Sequence, residues 1–166
     1  KMSCKRFLKQ YPNLLIVNAF TKFYAMAGLR LGDLMTGDLS LLHAVAQQLP
    51  EWNVSSIAQR AGISALQDTE YEKRTRQLIE KERRYLIQEF LKMGCTVFPS
   101  EADYITFRLP QEKTGFLLKE RLLEGKILIR SCANYRNMPP DCYRIAVKQH
   151  ADNEELVRQV WRILIQ

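Results

Sequence analysis

The first part of the chain alternates short apolar runs with capping and turn residues. The apolar run at 13–20 contains β-branched residues and predicts a buried strand, and the glycine-bounded run at 31–37 predicts a second one. Asp38 is placed to cap a helix over 39–49, and a further helix is predicted over 54–67. Two strands and two helices cannot cover a parallel sheet by themselves, so we expect this part to be incomplete.

The longest periodic segment runs from about 69 to 93, between Asp68 as its start and Gly94 as its stop. Its apolar residues recur at helical spacing, at Ile79, Leu86, Phe90 and Met93. Glu alternates with Lys and Arg along the same segment, which indicates a solvated helical face. We predict a domain boundary inside this helix, with 1–75 on one side and 76–166 on the other.

After Gly94 the pattern changes to a compact mixture of strands and helices. Strands are predicted at 95–100, 102–109, 126–131 and 142–148, with a short helix over 114–125. Asp152 and Glu155 resemble a capping box for the final helix, whose apolar stripe consists of Leu156, Val160 and Ile163. The whole order of elements predicts an α/β fold.

Composition narrows the classes of partner only slightly. The net charge of +7 over 166 residues admits nucleic acid, an anionic membrane or phosphorylated small molecules, and equally no charged partner at all. No apolar run approaches the roughly 20 residues that a membrane span needs. The cysteines lack the spacing of a metal site, and with no visible signal peptide they predict a reducing, cytoplasmic setting; they are Cys4, Cys95, Cys132 and Cys142.

The segment FTKFYAMAGLRLG places Lys22 among aromatic and small apolar residues. An amine is a nucleophile only when deprotonated, which a partly desolvated setting favours. Gly28 and Gly32 allow close backbone approach, and Arg30 between them offers a planar fork that suits a phosphate. With the Thr21 hydroxyl, these groups suit a phosphorylated aldehyde such as pyridoxal phosphate. The alternative is a surface lysine at the end of a strand.

This segment resembles the Schiff-base segment of the class I/II, fold type I pyridoxal-phosphate enzymes, whose pattern is S-x-[ST]-K-x-x-x-x-x-G-x-R-x-G. The most similar branch contains the histidinol-phosphate aminotransferases and the threonine-phosphate decarboxylases. The phrases TKFYA, ILIRSCANY and YRIAVK favour the decarboxylases. The resemblance covers nearly the whole chain, but only the C-terminal half or so of such an enzyme. It implies the end of a fold type I large domain followed by the C-terminal small α+β domain.

The resemblance implies a role for three residues at the cofactor. Lys22 would bind pyridoxal 5'-phosphate covalently and act as the catalytic acid and base, while Thr21 and Arg30 would hold the cofactor phosphate. Ala19 departs from the family, which usually has Ser or Thr there, so one phosphate hydrogen bond is missing. Ala27 replaces a common proline and Asp33 a common tyrosine, which weakens the assignment to a subfamily more than the assignment of the cofactor.

The resemblance also implies which residues bind the substrate. Arg144 takes the position of the arginine that binds the substrate carboxylate, and Arg130 lies where a second arginine can meet an anionic group. Tyr24 and Asn134 can line the site, although Tyr24 is equally a packing residue. Without the resemblance, Arg144 would be interpreted as a strand residue paired with a surface acid, and the same interpretation stays open for Arg130.

Other groups of the family's cofactor pocket precede the lysine by far more than 22 residues, so we expect a C-terminal fragment of a longer, homodimeric enzyme, inactive alone. The expected reaction is decarboxylation of L-threonine O-3-phosphate, a phosphorylated amino acid, within cobalamin biosynthesis. Transamination of histidinol phosphate is the alternative. Two non-catalytic alternatives stay open: a basic module that binds nucleic acid through the Arg-rich helix, and a small domain that serves only as a dimer interface. No motif typical of nucleic-acid binding supports the former.

Overall fold

The computed structural model describes residues 3–113 and 117–165. The chain divides into two compact units, Lys1–Glu72 and Lys73–Gln166. The first unit contains β1 (Leu15–Ala19), β2 (Gly32–Thr36), α1 (Leu39–Gln48) and α2 (Ser56–Gln67), together with short 3-10 turns at Cys4–Phe7 and Ala27–Leu29. The long helix α3 (Thr69–Lys92) begins in the first unit and continues into the second. That the two parts are the end of a large domain and a small domain stays a prediction.

The two strands of the first unit form an antiparallel hairpin. Leu15 pairs with Thr36 at one end and Ala19 pairs with Gly32 at the other, so residues 20–31 form the connection. The prediction of strands here is confirmed, but the prediction that the first is buried is wrong, because Val17 is 73% exposed and most of β1 is exposed with it. A two-stranded hairpin has no further layer of its own to cover its faces.

The helices of the first unit begin where local capping chemistry predicts. Asp38 Oδ1 accepts hydrogen bonds from the backbone N–H groups of Ser40 and Leu41 at the start of α1. At the start of α3, Asp68 Oδ1 accepts from the N–H of Tyr71 at 2.8 Å. These caps satisfy N–H groups that have no partner inside the helix. Both predicted helix starts are confirmed.

The second unit is built on a four-stranded antiparallel sheet in the order β3-β4-β6-β5. Its elements are β3 (Thr96–Val97), β4 (Tyr104–Arg108), a 3-10 turn at Gln111–Lys113, α4 (Leu118–Glu124), β5 (Arg130–Ser131), β6 (Cys142–Ala146) and α5 (His150–Ile165). The predicted strands are all present, although β3 and β5 are short. The predicted helix over 114–125 is observed as α4, and positions 114–116 lie outside the described residues.

One face of this sheet forms the hydrophobic core with the helices. Alternation along β4 and β6 places Ile105 and Phe107 beside Tyr143 and Ile145, all buried. Phe90 of α3 packs on Phe107 with ring centroids 4.3 Å apart. The predicted apolar stripes of α3 and α5 are buried here at Leu86, Phe90, Met93, Leu156, Val160 and Ile163. The residues that alternate with these, among them Arg144, lie on the opposite face of the sheet.

The start of α5 differs from the predicted capping box. The helix begins at His150, so Asp152 lies inside its first turn, and its carboxylate pairs with Lys148 Nζ at 3.4 Å. The Asn153 side chain binds the entering chain instead: its Oδ1 accepts from the N–H of Lys148 and its Nδ2 donates to the Lys148 carbonyl. Asn competes well for such backbone groups, which explains the earlier start.

Two charged residues of α3 are buried, contrary to the predicted solvated face. Glu82 is 1% exposed and Arg83 is 8% exposed. Arg83 donates to the carbonyl of Ala102 at 3.0 Å and pairs with Glu101 at 3.4 Å. Buried charges persist only where such partners compensate for lost hydration. No helix in the described part of the chain has the length and apolarity that crossing a membrane requires.

Candidate active site

The predicted nucleophile lies on the hairpin connection of the first unit. Lys22 follows the end of β1, and its carbonyl accepts from the N–H of Ala25 at 2.9 Å, which forms a turn. Lys22 is exposed and Thr21 is half-buried. The expected desolvated setting of the lysine is therefore not found in the described chain. The turn directs Phe20 inward instead, where it is 5% exposed.

An aromatic cluster fixes the connection in place. Phe20 stacks on Tyr24 with ring centroids 5.1 Å apart, and Tyr24 stacks on Tyr71 at 6.1 Å. The Tyr71 hydroxyl donates to the carbonyl of Phe23 at 3.0 Å. Tyr24 thus acts as a packing residue in the described chain, one of the two interpretations that the sequence left open. This cluster gives the lysine segment a defined backbone path.

Arg30 adopts the left-handed backbone conformation, with φ of 53°. Its Nη1 donates to the carbonyl of Ala27 at 3.1 Å. Among residues 3–113 and 117–165, no carboxylate forms an ion pair with this guanidinium. Because a guanidinium carries five N–H donors, most of them remain available for an anion. Arg30 therefore fits the predicted role of a phosphate ligand.

The two glycines beside Arg30 have different roles. A Cβ on Gly32 would lie 2.8 Å from the backbone oxygen of Asn18, so the absence of a side chain allows the two strands to pair closely. A Cβ on Gly28 would meet no atom within 4 Å among the described residues. Of the two glycines, only Gly32 shows the predicted close backbone approach. The backbone that it approaches is that of the neighbouring strand β1, at Asn18.

The residues that this chain contributes between β1 and β2 fit pyridoxal phosphate. The amine of Lys22 is reachable, the Thr21 hydroxyl is adjacent in sequence, and Arg30 retains donors for a phosphate. All three lie between β1 and β2. An amine beside donors for an anion is the chemistry that a phosphorylated aldehyde requires.

The predicted substrate arginines are cross-strand neighbours in the second unit. Arg130 of β5 lies directly opposite Arg144 of β6 in the antiparallel register. Tyr143 and Ile145, which flank Arg144, are buried on the core face, so the predicted alternation around Arg144 is confirmed. Opposed like charges destabilise a sheet. The pair therefore carries a cost that folding alone does not explain.

No acidic side chain among the described residues neutralises this pair. The buried Asp141, near the start of β6, is bound by Arg108 Nε at 2.8 Å. Neither Arg130 nor Arg144 forms an ion pair in the part of the chain that the structure describes. The interpretation of Arg144 as a strand residue paired with a surface acid is therefore wrong. Two uncompensated guanidinium groups on adjacent strands form a candidate site for an anion.

Each arginine of the pair rests on an aromatic ring. The Arg144 guanidinium carbon lies 4.9 Å from the ring centroid of Tyr104, and that of Arg130 lies 5.6 Å from Tyr135. Arg130 Nη2 also donates to Asn134 Oδ1 at 3.2 Å. The sequence indicates Asn134 but neither tyrosine, because the Tyr104 contact depends on the register of β4 and β6, and the Tyr135 contact depends on the turn after β5.

The three buried cysteines are poorly suited to act as nucleophiles or metal ligands. Burial raises the pKa of the Cys95 thiol to about 12 and also raises those of Cys132 and Cys142. A raised pKa disfavours the thiolate, which is the reactive and metal-binding form. Within the described ranges, no group of three or more His, Cys, Asp or Glu side chains is placed to hold a metal ion.

The hairpin and the paired arginines belong to a mixed α/β protein with the fold of the fold type I aminotransferases. The sequence profile of the family Aminotransferase class I and II matches residues 3–160. The chain belongs to this family.

Three relatives show how much of a family member the chain represents. It is 35% identical to the threonine-phosphate decarboxylase of Salmonella typhimurium over 158 residues, 95% of this chain and 43% of the relative. It is 33% identical to the histidinol-phosphate aminotransferase of Oleidesulfovibrio alaskensis, over 95% of this chain and 41% of the relative. The structure of the histidinol-phosphate aminotransferase from Clostridium acetobutylicum matches with a TM-score of 0.92 and 31% identity, over 98% of this chain and 49% of that one. The chain thus spans less than half the length of these relatives.

Proposed function

We propose that the chain is the C-terminal part of a pyridoxal-phosphate-dependent enzyme that decarboxylates L-threonine O-3-phosphate. The observation that carries the proposal is the uncompensated Arg130–Arg144 pair on β5 and β6. A phosphorylated amino acid carries a carboxylate and a phosphate, and two guanidinium forks match these two anions. The 35% identity to a threonine-phosphate decarboxylase supports the choice of substrate.

The hairpin connection supplies the cofactor's protein ligands in this proposal. Pyridoxal phosphate, when bound, draws electrons away from the substrate's α-carbon. Lys22 Nζ would hold the cofactor covalently, and the same amine would hold and return a proton at the reacting carbon. Arg30 and the Thr21 hydroxyl bind the cofactor phosphate. The exposure of Lys22 is compatible with these roles, because its amine has to reach a ligand.

The sheet of the second unit supplies the substrate's ligands. Arg144 binds the α-carboxylate and Arg130 binds the phosphate. An arginine holds a carboxylate through two parallel hydrogen bonds, which fix its orientation as well as its position. A fixed carboxylate orientation would bias which bond at the α-carbon lies where the bound cofactor can draw electrons from it. Arg144 therefore contributes to the choice of reaction as well as to affinity.

Transamination of histidinol phosphate is the second candidate. The TM-score of 0.92 and the 31–33% identities to histidinol-phosphate aminotransferases favour it. Histidinol phosphate has a phosphate but no carboxylate, so the two candidates require different things of Arg144. In the second case Arg144 would bind the carboxylate of the amino donor or keto acid that shares the site.

The full-length protein that contains this chain decides between the two. It is incubated separately with L-threonine O-3-phosphate and with histidinol phosphate plus 2-oxoglutarate. The proposal expects release of carbon dioxide in the first mixture and no glutamate in the second. Glutamate formation without carbon dioxide release would favour the aminotransferase, and inactivity in both mixtures with bound cofactor would contradict both candidates. We further propose that this full-length protein is cytoplasmic and homodimeric. Light scattering tests its oligomeric state.

A further inference from the structure

We propose that Tyr104 and the Asn134–Tyr135 turn are positioning residues that hold Arg144 and Arg130 apart as two separate anion sites, one for a carboxylate and one for a phosphate. The inference rests on the proposed function, in which these arginines bind a phosphorylated amino acid. It adds the residues that set the spacing of the two sites, and it places them outside the groups that contact the ligand.

The strand register shows that the two arginines are drawn in opposite directions. Tyr104 pairs with Ala146, toward the C-terminal end of β6, so Arg144 reaches its ring by leaning that way. The N–H of Cys132 binds the carbonyl of Cys142 at 2.9 Å, so β5 ends beside the start of β6. Residues 134 and 135 follow that end of β5, and Arg130 leans toward them.

The turn that receives Arg130 is built by its own hydrogen bonds. The Ser131 hydroxyl accepts from the N–H of Ala133 at 3.3 Å, and the carbonyl of Cys132 accepts from the N–H of Tyr135 at 2.9 Å. The N–H of Met138 donates in turn to the carbonyl of Tyr135 at 3.2 Å. These hydrogen bonds hold Asn134 and Tyr135 close to the end of β5, where their side chains contact Arg130.

Separation of the guanidinium groups serves recognition of two different anions. Left to repel each other freely, two opposed arginines would sample many rotamers, and a ligand would have to order both. A ring under each cation reduces that freedom, and only one face of the guanidinium is covered by the ring. Apart from the Arg130 Nη2 that donates to Asn134 Oδ1, the N–H groups on the edges stay available for an anion. The ligand class that fits is an amino acid with a carboxylate and a phosphate.

The test measures the apparent affinity of the full-length protein for two ligands, as KM for L-threonine O-3-phosphate and as the competitive inhibition constant for L-threonine. L-Threonine O-3-phosphate carries both anions and L-threonine carries only the carboxylate. Tyr104→Leu acts through Arg144 and is expected to weaken both ligands by roughly two- to fivefold, the range of an exposed cation–π contact. Tyr135→Leu and Asn134→Ala act through Arg130 and should weaken only the phosphorylated ligand by a similar factor.

Conservative variants separate positioning from general structural damage. Tyr104→Phe and Tyr135→Phe keep the rings and should bind both ligands as the parent does, with unchanged melting temperatures. In an Arg144→Ala background, Tyr104→Leu should have no further effect, because the arginine through which it acts is gone. Equal losses in the Leu and Phe variants, or additive losses in the double variant, would overturn the inference.

Variants of the two arginines show whether a negative result contradicts the positioning role alone or the proposed function as well. If Arg144→Ala and Arg130→Ala leave the affinity for both ligands unchanged, the proposed substrate falls and the inference falls with it. If those variants lose affinity but the Tyr104, Asn134 and Tyr135 variants do not, the proposed function stands and the positioning role is wrong. Loss in both sets, with the ligand pattern given above, supports both.

Discussion

The carboxylate of Glu82 on α3 lies 3.0 Å from Nδ1 of His150, the first residue of α5. The same oxygen accepts from Asn153 Nδ2 at 3.0 Å. Burial opposes ionisation of Glu82, but hydrogen bonds from Asn153 and His150 outweigh it and lower the pKa of the carboxyl. A buried carboxylate with two donors thus joins the long helix to the start of the final one.

Acid sensitivity of the second unit should depend on this contact. A lowered folded-state pKa gives stability that is complete above the ordinary glutamate range, near pH 4.3, and is lost as the pH falls through the folded-state pKa. Glu82→Gln should therefore flatten the acid limb of the unfolding free energy, measured by urea titration between about pH 7 and about pH 3. Glu80→Gln, the same change on the exposed face of α3, is the control and should keep the parent's slope.

At neutral pH, removal of a donor from the Glu82 contact should show how much free energy the contact contributes to folding. Asn153→Ala leaves Glu82 with one donor fewer in a buried site and frees the N–H of Lys148. We expect a loss of about 1–3 kcal/mol in the free energy of unfolding. Urea unfolding at pH 7 measures it. A loss no larger than that of Glu80→Gln would mean that the contact does not stabilise the helix pair.

The glycines beside Arg30 offer a matched pair of substitutions in the first unit. Gly32→Ala places a Cβ against the backbone oxygen of Asn18 at 2.8 Å, and backbone cannot move aside as a side chain can. We expect a loss of about 1–3 kcal/mol in the free energy of unfolding. Gly28→Ala meets no described atom within 4 Å and should be nearly neutral. Thermal unfolding compares the two, and equal effects would contradict the close approach at Gly32.

The parts of the fold that the sequence predicted are those that local chemistry determines. Asp38 and Asp68 cap the helices that follow them, and Gly94 ends α3 with φ of +78°. The burial of Glu82 escaped prediction because its partners lie about 70 residues away, at His150 and Asn153. A helical pattern shows which residues share a face, but it does not show which polar groups another element brings to that face.

In the candidate site, too, residues close in sequence were predictable, whereas the contacts made by folding were not. Lys22, Thr21 and Arg30 were predicted together because they are close in sequence, and the hairpin keeps them on one connection. The opposition of Arg130 and Arg144 depends on strand register over a loop of irregular chain, and no local pattern encodes it. Apolar neighbours predict a desolvated Lys22, whereas its exposure agrees with the alternative of a surface lysine at the end of a strand, because a turn decides which side chains of a segment point inward.

Covalent attachment of the cofactor tests Lys22 directly. In the full-length protein, pyridoxal phosphate should give a visible absorption band, and borohydride should fix the label on Lys22, because this amine is reachable and lies beside donors for the phosphate. Peptide mapping by mass spectrometry locates the label. Lys22→Arg keeps the charge and should abolish both band and label. A label distributed over other exposed lysines, such as Lys9 and Lys73, would show that the assignment is wrong.

Replacement of Arg144 by lysine tests the carboxylate role most sharply. Lysine keeps the positive charge but offers a single ammonium in place of the planar fork, so two parallel hydrogen bonds become one. We expect a loss of roughly 1.5–3 kcal/mol in transition-state binding, the range for hydrogen bonds to charged groups, measured as kcat/KM of the full-length protein with L-threonine O-3-phosphate. Cofactor absorption should be unchanged. Arg84→Lys, on the exposed face of α3, is the control and should leave kcat/KM at the parent's value. If Arg144→Lys also leaves kcat/KM unchanged, the fork does not bind the carboxylate, and the two uncompensated arginines need another ligand.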